Sequence, residues 1–247
     1  MNYDTLRNNA PLIVFLVVVS GILLARDNNA YGGRGVAPRA QLMAFNPLIQ
    51  STDVNMADAM ARAWQGGAAV VNNSWGPPDP ASGGTGSFYR ASSVWQQAVL
   101  QGVTQGRGGR GTVYLIAAGN GGASGDDANR DGYANFRAVL AVGAVDDHNR
   151  PTSYTEPGAN VLVAAPSGNV LGRFESTAGV VTTDIAGERG YIPMSFNVAP
   201  EHVIVHWPSV EEGAAKTGRT PSRGSWRQNC RSCRWRQAAA AGSSRRL

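Results

Sequence analysis

Between residues 41 and 166, short apolar segments alternate with longer amphipathic ones, and this alternation limits the fold more than any other feature of the chain. The apolar segments have the length and composition of β-strands and lie at residues 41–45, 68–72, 112–118, 138–145 and 160–165. Residues 112–118 are uniformly apolar, as expected of a strand buried on both faces. Strands that alternate with helices predict an α/β fold, in which a parallel sheet has helices on both faces.

Two of the amphipathic segments have the periodicity of helices. Residues 53–64 would place four apolar side chains on one face: Val54, Ala57, Ala61 and Trp64. A side chain from positions 51–53, Ser51, Thr52 or Asp53, is suited to cap this helix. Residues 92–105 would form a second helix with Val94, Ala98 and Val103 on its apolar face.

Polar and glycine-rich sequences follow two of the predicted strands. One is Asn72-Asn73-Ser74-Trp75-Gly76, and the other is Gly119-Asn120-Gly121-Gly122. In open parallel sheets, functional groups collect at the carboxyl ends of the strands. We therefore expect the chemistry of this chain to lie there.

The N-terminal residues 12–25 form an apolar run without charge. The run is shorter than the roughly 20 residues of a membrane-spanning helix. Two interpretations remain open: a signal-peptide core, whose flanking sequences are weak here, or a buried helix, which we favour. In either case the run offers a surface for membrane association.

The basic character of the chain is confined to its C-terminal part. The net charge is +5, but Lys216 and eight arginines oppose only three glutamates in residues 199–247. The rest of the chain is therefore close to neutral, and no nucleic-acid partner is expected. This segment also lacks sustained periodicity, so residues 198–247 are expected to form a disordered basic tail. The two cysteines of the chain do not define a redox compartment.

Five motifs, in order and at matching spacing, resemble the subtilisin-like serine proteases. The motifs are Gly35-Val36-Ala37-Pro38-Arg39-Ala40, Asn72-Asn73-Ser74-Trp75-Gly76, Ala117-Ala118-Gly119-Asn120, Asp126-Asp127-Ala128-Asn129-Arg130-Asp131-Gly132-Tyr133, and Tyr154-Thr155-Glu156 with Ala165-Pro166. The fourth motif is similar to the corresponding sequence of the kexin and proprotein-convertase branch of this family. The resemblance covers residues 19–197, which gives a partial peptidase domain between a non-family segment, 1–18, and the basic tail.

This resemblance implies roles for individual residues. Asn120 would donate to the oxyanion of the transition state, whereas an ordinary turn residue is the alternative. Ser74, Trp75 and Gly76 would pair with the backbone of a peptide substrate. Asp79 and Asp131 would receive a basic side chain at the P1 position, the residue before the cleaved bond. The implied reaction is hydrolysis of peptide bonds after Arg or Lys, in a secreted or periplasmic setting.

The resemblance also implies structural calcium. Asp79, Asp126 and Glu156 would form one site, because carboxylates from three loops repel each other unless a cation neutralises them. A second site would use Asn29, with the carbonyls of Arg26, Tyr31 and Gly33. The usual carboxylate partners of that second site are missing from this sequence.

The catalytic triad of the family does not match this sequence. Phe15 occupies the histidine position, Pro200 occupies the serine position, and Asp4 stands in no recognisable motif. We expect a family member interrupted at both ends, with incomplete cover on the apolar strands and little or no activity. Two alternatives stay open: a non-catalytic module that binds basic peptides, and a basic tail that binds nucleic acid or anionic lipid. The oligomeric state is not indicated.

Overall fold

The structure is a computed structural model that describes residues 10–28, 33–79, 86, 88–168, 180–183 and 204–207. Four strands form one parallel sheet in the order β1-β2-β3-β4. Their bounds are Val70–Asn73 for β1, Val113–Ala117 for β2, Leu140–Val145 for β3 and Val161–Pro166 for β4. The prediction of an α/β fold with a parallel sheet is therefore confirmed.

The strand predicted at residues 41–45 is wrong. These residues have no regular secondary structure, and Leu42, Met43 and Phe45 are exposed. A strand is stable only where a neighbouring strand takes up its backbone hydrogen bonds. Among the described residues no strand lies beside this segment, so its apolar composition alone does not produce one.

Two helices, α2 (Asp53–Gln65) and α3 (Ser93–Gly109), lie where the periodicity predicts them. Their N-caps are Thr52, which accepts from the Asn55 amide at 3.2 Å, and Ser92, which accepts from the Trp95 amide at 3.4 Å. The predicted apolar faces are wrong in part. Val54 is 66% exposed and Val94 51%, whereas the predicted Ala57 and Ala98 are buried, together with Met56, Ala59, Met60 and Ala63 of α2 and with Trp95, Val99 and Gly102 of α3.

The main hydrophobic core lies between α2, α3 and one face of the sheet. Tyr114 and Ile116 of β2 point into this core and are 1% exposed. The Tyr114 hydroxyl lies 3.5 Å from the Met60 carbonyl, and Gly102 leaves the space into which the phenol fits. Burial raises the pKa of Tyr114 to about 12, so this side chain stays neutral.

The opposite face of the sheet has less cover. Val70 and Val113 are neighbours in the β1–β2 register, and both are exposed. The expectation that residues 112–118 are buried on both faces is therefore wrong at Val113. The exposure agrees with the incomplete cover expected for these strands.

The N-terminal apolar run forms the helix α1 (Ala10–Leu24), which packs against a second, two-stranded sheet. This antiparallel sheet contains β5 (Val180–Thr183) and β6 (Ile204–Trp207), the latter within the tail expected to be disordered. The hydroxyls of Thr182 and Thr183 donate to α1 carbonyls, those of Val18 at 2.7 Å and Val17 at 3.0 Å. Within the described ranges, no helix has the length and apolarity that a membrane span requires.

Candidate functional site

The polar ends of β1 and β2 meet at one edge of the sheet. The two strands run parallel with Asn73 opposite Ile116, so the segments that follow them emerge side by side. The Asn73 side chain is buried and donates to the Leu115 carbonyl at 3.2 Å, which ties the end of β1 to β2. Asn120 follows β2 and is exposed at this edge. The structure thus brings the predicted substrate strand, 74–76, and the predicted oxyanion donor to the same edge of the sheet.

Three carboxylates converge behind this edge. Asp79, Asp126 and Glu156 each offer an oxygen, and the three oxygens lie within 4.8 Å of one another. Oxygen ligands of Ca²⁺ lie about 2.3–2.6 Å from the ion, so two oxygens on opposite sides of the ion are about twice that distance apart. The 4.8 Å observed here agrees with this separation. Asp79 is exposed, which leaves one side of the cluster open to water. The predicted set of ligands is therefore assembled, and its donor chemistry and spacing fit calcium.

Burial makes the cluster electrostatically unfavourable without a cation. Glu156 is 4% exposed and Asp126 is 8% exposed. Burial raises the pKa of Glu156 to about 7, with further increases from the charges of Asp126 and Asp79 and an opposing decrease from the Gly121 amide. The neighbouring Asp126 and Asp79 also favour the protonated form of Glu156, which lowers the repulsion between the three groups. A divalent cation would favour the ionised form of all three.

Glu156 also holds the loop that carries Asn120. Its Oε1 accepts a hydrogen bond from the Gly121 amide at 3.0 Å. Gly119 has a φ of +110°, and a Cβ at this position would collide with the Glu156 carboxylate. The glycines on either side of Asn120 thus let the loop wrap around the buried carboxylate, and the carboxylate fixes the position of Asn120.

Asp126 holds a different loop. Its Oδ1 accepts from the amides of Gly86, at 3.1 Å, and Asp127, at 2.8 Å. The Gly86 carbonyl in turn accepts from Nη1 of Arg130 at 3.1 Å. The cluster therefore connects the segment around residue 86 to the loop that contains Asp131.

Asp131 lies close to the end of the predicted substrate strand. Its Oδ2 is 3.3 Å from the position that a Cβ on Gly76 would occupy, and its Oδ1 accepts from the Tyr133 amide at 2.7 Å. Burial raises the pKa of Asp131 to about 6, against the lowering effect of the Tyr133 and Ala134 amides. The charges of Asp126 and Asp79 add to the increase. This half-buried carboxylate lacks a cationic partner among the interactions of the described residues, and a ligand cation would fill that role.

One cluster that sequence reasoning missed has a structural explanation. Asp146, Asp147 and His148 lie close together after β3. The buried Asp146 accepts four hydrogen bonds, two from Nε and Nη2 of Arg150 and two from the amides of His148 and Arg150, all between 2.9 and 3.0 Å. Its oxygens are thus engaged in stabilising the turn. These donors outweigh the opposing effect of burial and lower the pKa of Asp146.

The remaining predicted site residues give no geometry. Asn29 and Tyr31, assigned to a second calcium site, lie outside the described residues, as does Pro200. Phe15 lies in the helix α1.

The sheet, the acidic cluster and the paired loops define a chain of the subtilisin-like class. The model of the family described as "Subtilase family" matches residues 17–195, and the chain belongs to this family.

Individual relatives agree with this assignment. The chain is 35% identical over 183 residues to the calcium-dependent protease of Nostoc sp. (strain PCC 7120), an alignment that covers 72% of this chain and 27% of that protein. It is 31% identical over 157 residues to kexin of Saccharomyces cerevisiae, which covers 63% of this chain and 18% of kexin. The crystal structure of the Aeromonas sobria serine protease with its chaperone superposes with a TM-score of 0.58 at 27% identity, covering 71% of this chain and 32% of that one. The chain therefore spans about a quarter or less of the length of these curated relatives.

Proposed function

We propose that this chain carries the substrate-binding elements of a kexin-like serine endopeptidase and binds peptides that have Arg or Lys at P1. The relatives named kexin and dibasic-processing endoprotease, the latter of Yarrowia lipolytica and 41% identical over 156 residues, support a basic specificity. We further propose that residues 19–197 form the peptidase domain and that the protein acts in a secretory, extracellular or periplasmic setting.

The position of Asp131 is the observation that carries this proposal. Its carboxylate lies beside Gly76, at the end of the segment that would align the substrate backbone. A guanidinium or ammonium group placed there would form a charge-assisted hydrogen bond with a half-buried carboxylate.

The backbone and the oxyanion would be bound at the same edge of the sheet. Residues 74–76 would add a substrate segment by backbone pairing. The Asn120 amide would donate to the oxygen on which negative charge develops during hydrolysis. Such a donor contributes about 3–4 kcal/mol to transition-state stabilisation in a complete active site.

Calcium would be held by Asp79, Asp126 and Glu156, where it would supply positive charge to three crowded carboxylates. The chain's own contribution is positional. The Glu156 carboxylate fixes the Asn120 loop through Gly121, and Asp126 fixes the segment at Gly86. The first contact supports the proposed oxyanion donor, and the second connects Gly86 to the acidic cluster.

We also propose that this chain binds such peptides without cleaving them at a measurable rate. The histidine and serine positions hold Phe15 and Pro200, neither of which moves a proton or attacks a carbonyl. An enzyme without its triad retains only the contribution of binding and of the oxyanion hole.

Two experiments test these statements. Fluorescence anisotropy with a labelled peptide ending in Arg should show binding about tenfold or more tighter than with the same peptide ending in citrulline, and Asp131→Asn should remove the difference. Equal binding of both peptides by the unaltered chain would contradict the basic specificity. Mass spectrometry of the incubated peptide should show no product above the uncatalysed level, and a hydrolysis rate that falls in Asn120→Ala would contradict the proposed lack of activity.

A further inference from the structure

We propose that Tyr133 is a positioning residue for the P1 pocket, because its ring fixes the distance between the Asp131 carboxylate and the substrate strand 74–76. This inference rests on the proposed function and adds a residue that the sequence motifs alone do not assign to the site. Tyr133 would act through Asp131 and Trp75, without contact to the peptide.

The buried Tyr133 is the centre of a group of aromatic rings. It is 3% exposed and contacts rings from three separate segments of the chain. The Trp75 ring lies at 5.1 Å and 77°, the Trp95 ring at 4.9 Å and 82°, and the Tyr89 ring stacks at 5.3 Å and 29°. Edge-to-face and offset-stacked pairs of this kind contribute about 0.5–1.5 kcal/mol each beyond the area they bury. The orientation of Trp75, in the middle of the substrate strand, is therefore coupled to Tyr133.

The backbone of the same residue holds Asp131. The Tyr133 amide donates to Asp131 Oδ1 at 2.7 Å. The main chain on either side of Asp131 pairs with Tyr89, whose amide donates to the Arg130 carbonyl at 2.9 Å and whose carbonyl accepts from Gly132 at 2.6 Å. Tyr133 thus connects the two parts of the pocket. Its amide binds the Asp131 carboxylate, and its ring contacts Trp75 of the substrate strand.

The ring carries this coupling, and the hydroxyl contributes little. The hydroxyl oxygens of Tyr133 and Tyr89 are 3.5 Å apart, which is long for a hydrogen bond between hydroxyl groups. Replacement by phenylalanine keeps all three ring contacts, whereas leucine removes them. The pair Tyr133→Phe and Tyr133→Leu therefore separates positioning by the ring from any effect of the hydroxyl.

The measured quantity is the ratio of affinities for the peptides ending in Arg and in citrulline. A general loss of stability lowers both affinities together, whereas a displaced carboxylate lowers the ratio. We expect Tyr133→Leu to reduce the preference for Arg about tenfold and Tyr133→Phe to retain it. Val99→Ala is the matched control, since Val99 is fully buried in the same core on α3 but is not one of the rings around Tyr133, and it should leave the ratio unchanged.

A double-mutant cycle shows whether Tyr133 acts through Asp131. If it does, Tyr133→Leu combined with Asp131→Asn should lose no more discrimination than Asp131→Asn alone. Additive losses would overturn the inference, as would an unchanged ratio in Tyr133→Leu. If Tyr133→Leu does not fold, Trp75→Leu removes the ring through which Tyr133 contacts the substrate strand, and this variant should lower the ratio equally.

A second readout keeps this inference separate from the proposed function. The backbone amide signals of Ser74 and Gly76 in the NMR spectrum of the peptide-free chain should shift in Tyr133→Leu and stay in place in Tyr133→Phe and Val99→Ala. An unaltered chain that binds neither peptide would overturn the proposed function, and the amide signals would still decide the role of Tyr133. Unmoved signals in Tyr133→Leu would refute positioning by the ring.

Discussion

Replacement of Glu156 by glutamine should remove both a pH-dependent loss of stability and the response to calcium. The pKa of Glu156 is raised from its ordinary value of 4.5 to about 7 in the folded chain. The folded state therefore holds this proton more tightly than the unfolded state does, and stability falls as the pH rises from about 4.5 to about 7. At 1.36 kcal/mol per pKa unit the fall is at most about 3 kcal/mol, and screening at the solvent-exposed Asp79 reduces it.

Thermal unfolding followed by tryptophan fluorescence measures this loss. With a chelator present, we expect the midpoint to fall by up to about 6–12 °C between about pH 5 and pH 7.5, since 1 kcal/mol corresponds to about 2–4 °C for a domain of this size. Millimolar calcium should abolish the fall, because the cation favours ionised carboxylates and binds only the folded state. With the chelator present, the midpoint of Glu156→Gln should not show the part of the fall that Glu156 causes. Calcium should not raise the midpoint of this variant. Asp131, whose pKa is also raised, titrates in both proteins, so the difference between them isolates Glu156.

The control is Asp147→Asn, which removes one exposed carboxylate from a different acidic cluster. It should keep both the pH-dependent fall and the calcium response. A calcium-dependent increase of the midpoint that persists in Glu156→Gln would place the ion elsewhere and refute the reasoning. Equal stability of the unaltered chain at the two pH values, with the chelator present, would refute the electrostatic part of it.

Three further predictions follow from single contacts. Binding of the Arg peptide should weaken as the pH falls below about 6, where Asp131 becomes protonated, and should level off at the affinity of Asp131→Asn; titrations at several pH values check this, and a pH-independent affinity would contradict it. Asp146→Asn should lower the unfolding midpoint at neutral pH, with Asp147→Asn as the control; since the pKa of Asp146 is lowered, its advantage over the variant should disappear as the pH falls below about 4. Gly119→Ala should abolish the calcium-dependent increase of the midpoint, because φ is +110° there and the added Cβ meets the Glu156 carboxylate; a variant with an unchanged calcium response would contradict this.

The sheet could be predicted from the sequence because the strands β1 to β4 lie in short apolar runs, two of which lead into polar and glycine-rich sequence, and this pattern is local. The segment at residues 41–45 has the same composition but no neighbouring strand among the described residues, and pairing is not visible in composition. The helical faces were wrong in part, for a related reason. Valine at positions 54 and 94 fits the period of a helix, but the core is filled by methionine, alanine and tryptophan side chains whose partners come from other segments.

The acidic cluster was predictable and the aromatic group was not. Asp126 and Glu156 belong to motifs whose order and spacing resemble those of a family, and Asp79 lies three residues after another of these motifs, so the resemblance implies that the three carboxylates meet. Trp75 and Tyr133 are 58 positions apart. Their contact depends on how two loops pack, and a tyrosine after Asp-Gly is too common in turns to suggest it. Similarly, the Arg150 that engages Asp146 gave no signal, because an Asp and an Arg four residues apart outside a helix imply no contact.

The contacts of the proposed binding groups explain why peptide binding should survive without the catalytic triad that we propose this chain lacks. Asn120 is fixed by Glu156 through Gly121, and Asp131 is fixed by Tyr133. All of these contacts lie within residues 75–156, and they rest on the core formed by α2, α3 and the parallel sheet. The helix α1, which contains Phe15, packs against β5 instead. We therefore expect a substitution at Phe15 to leave in place the groups that would recognise a peptide.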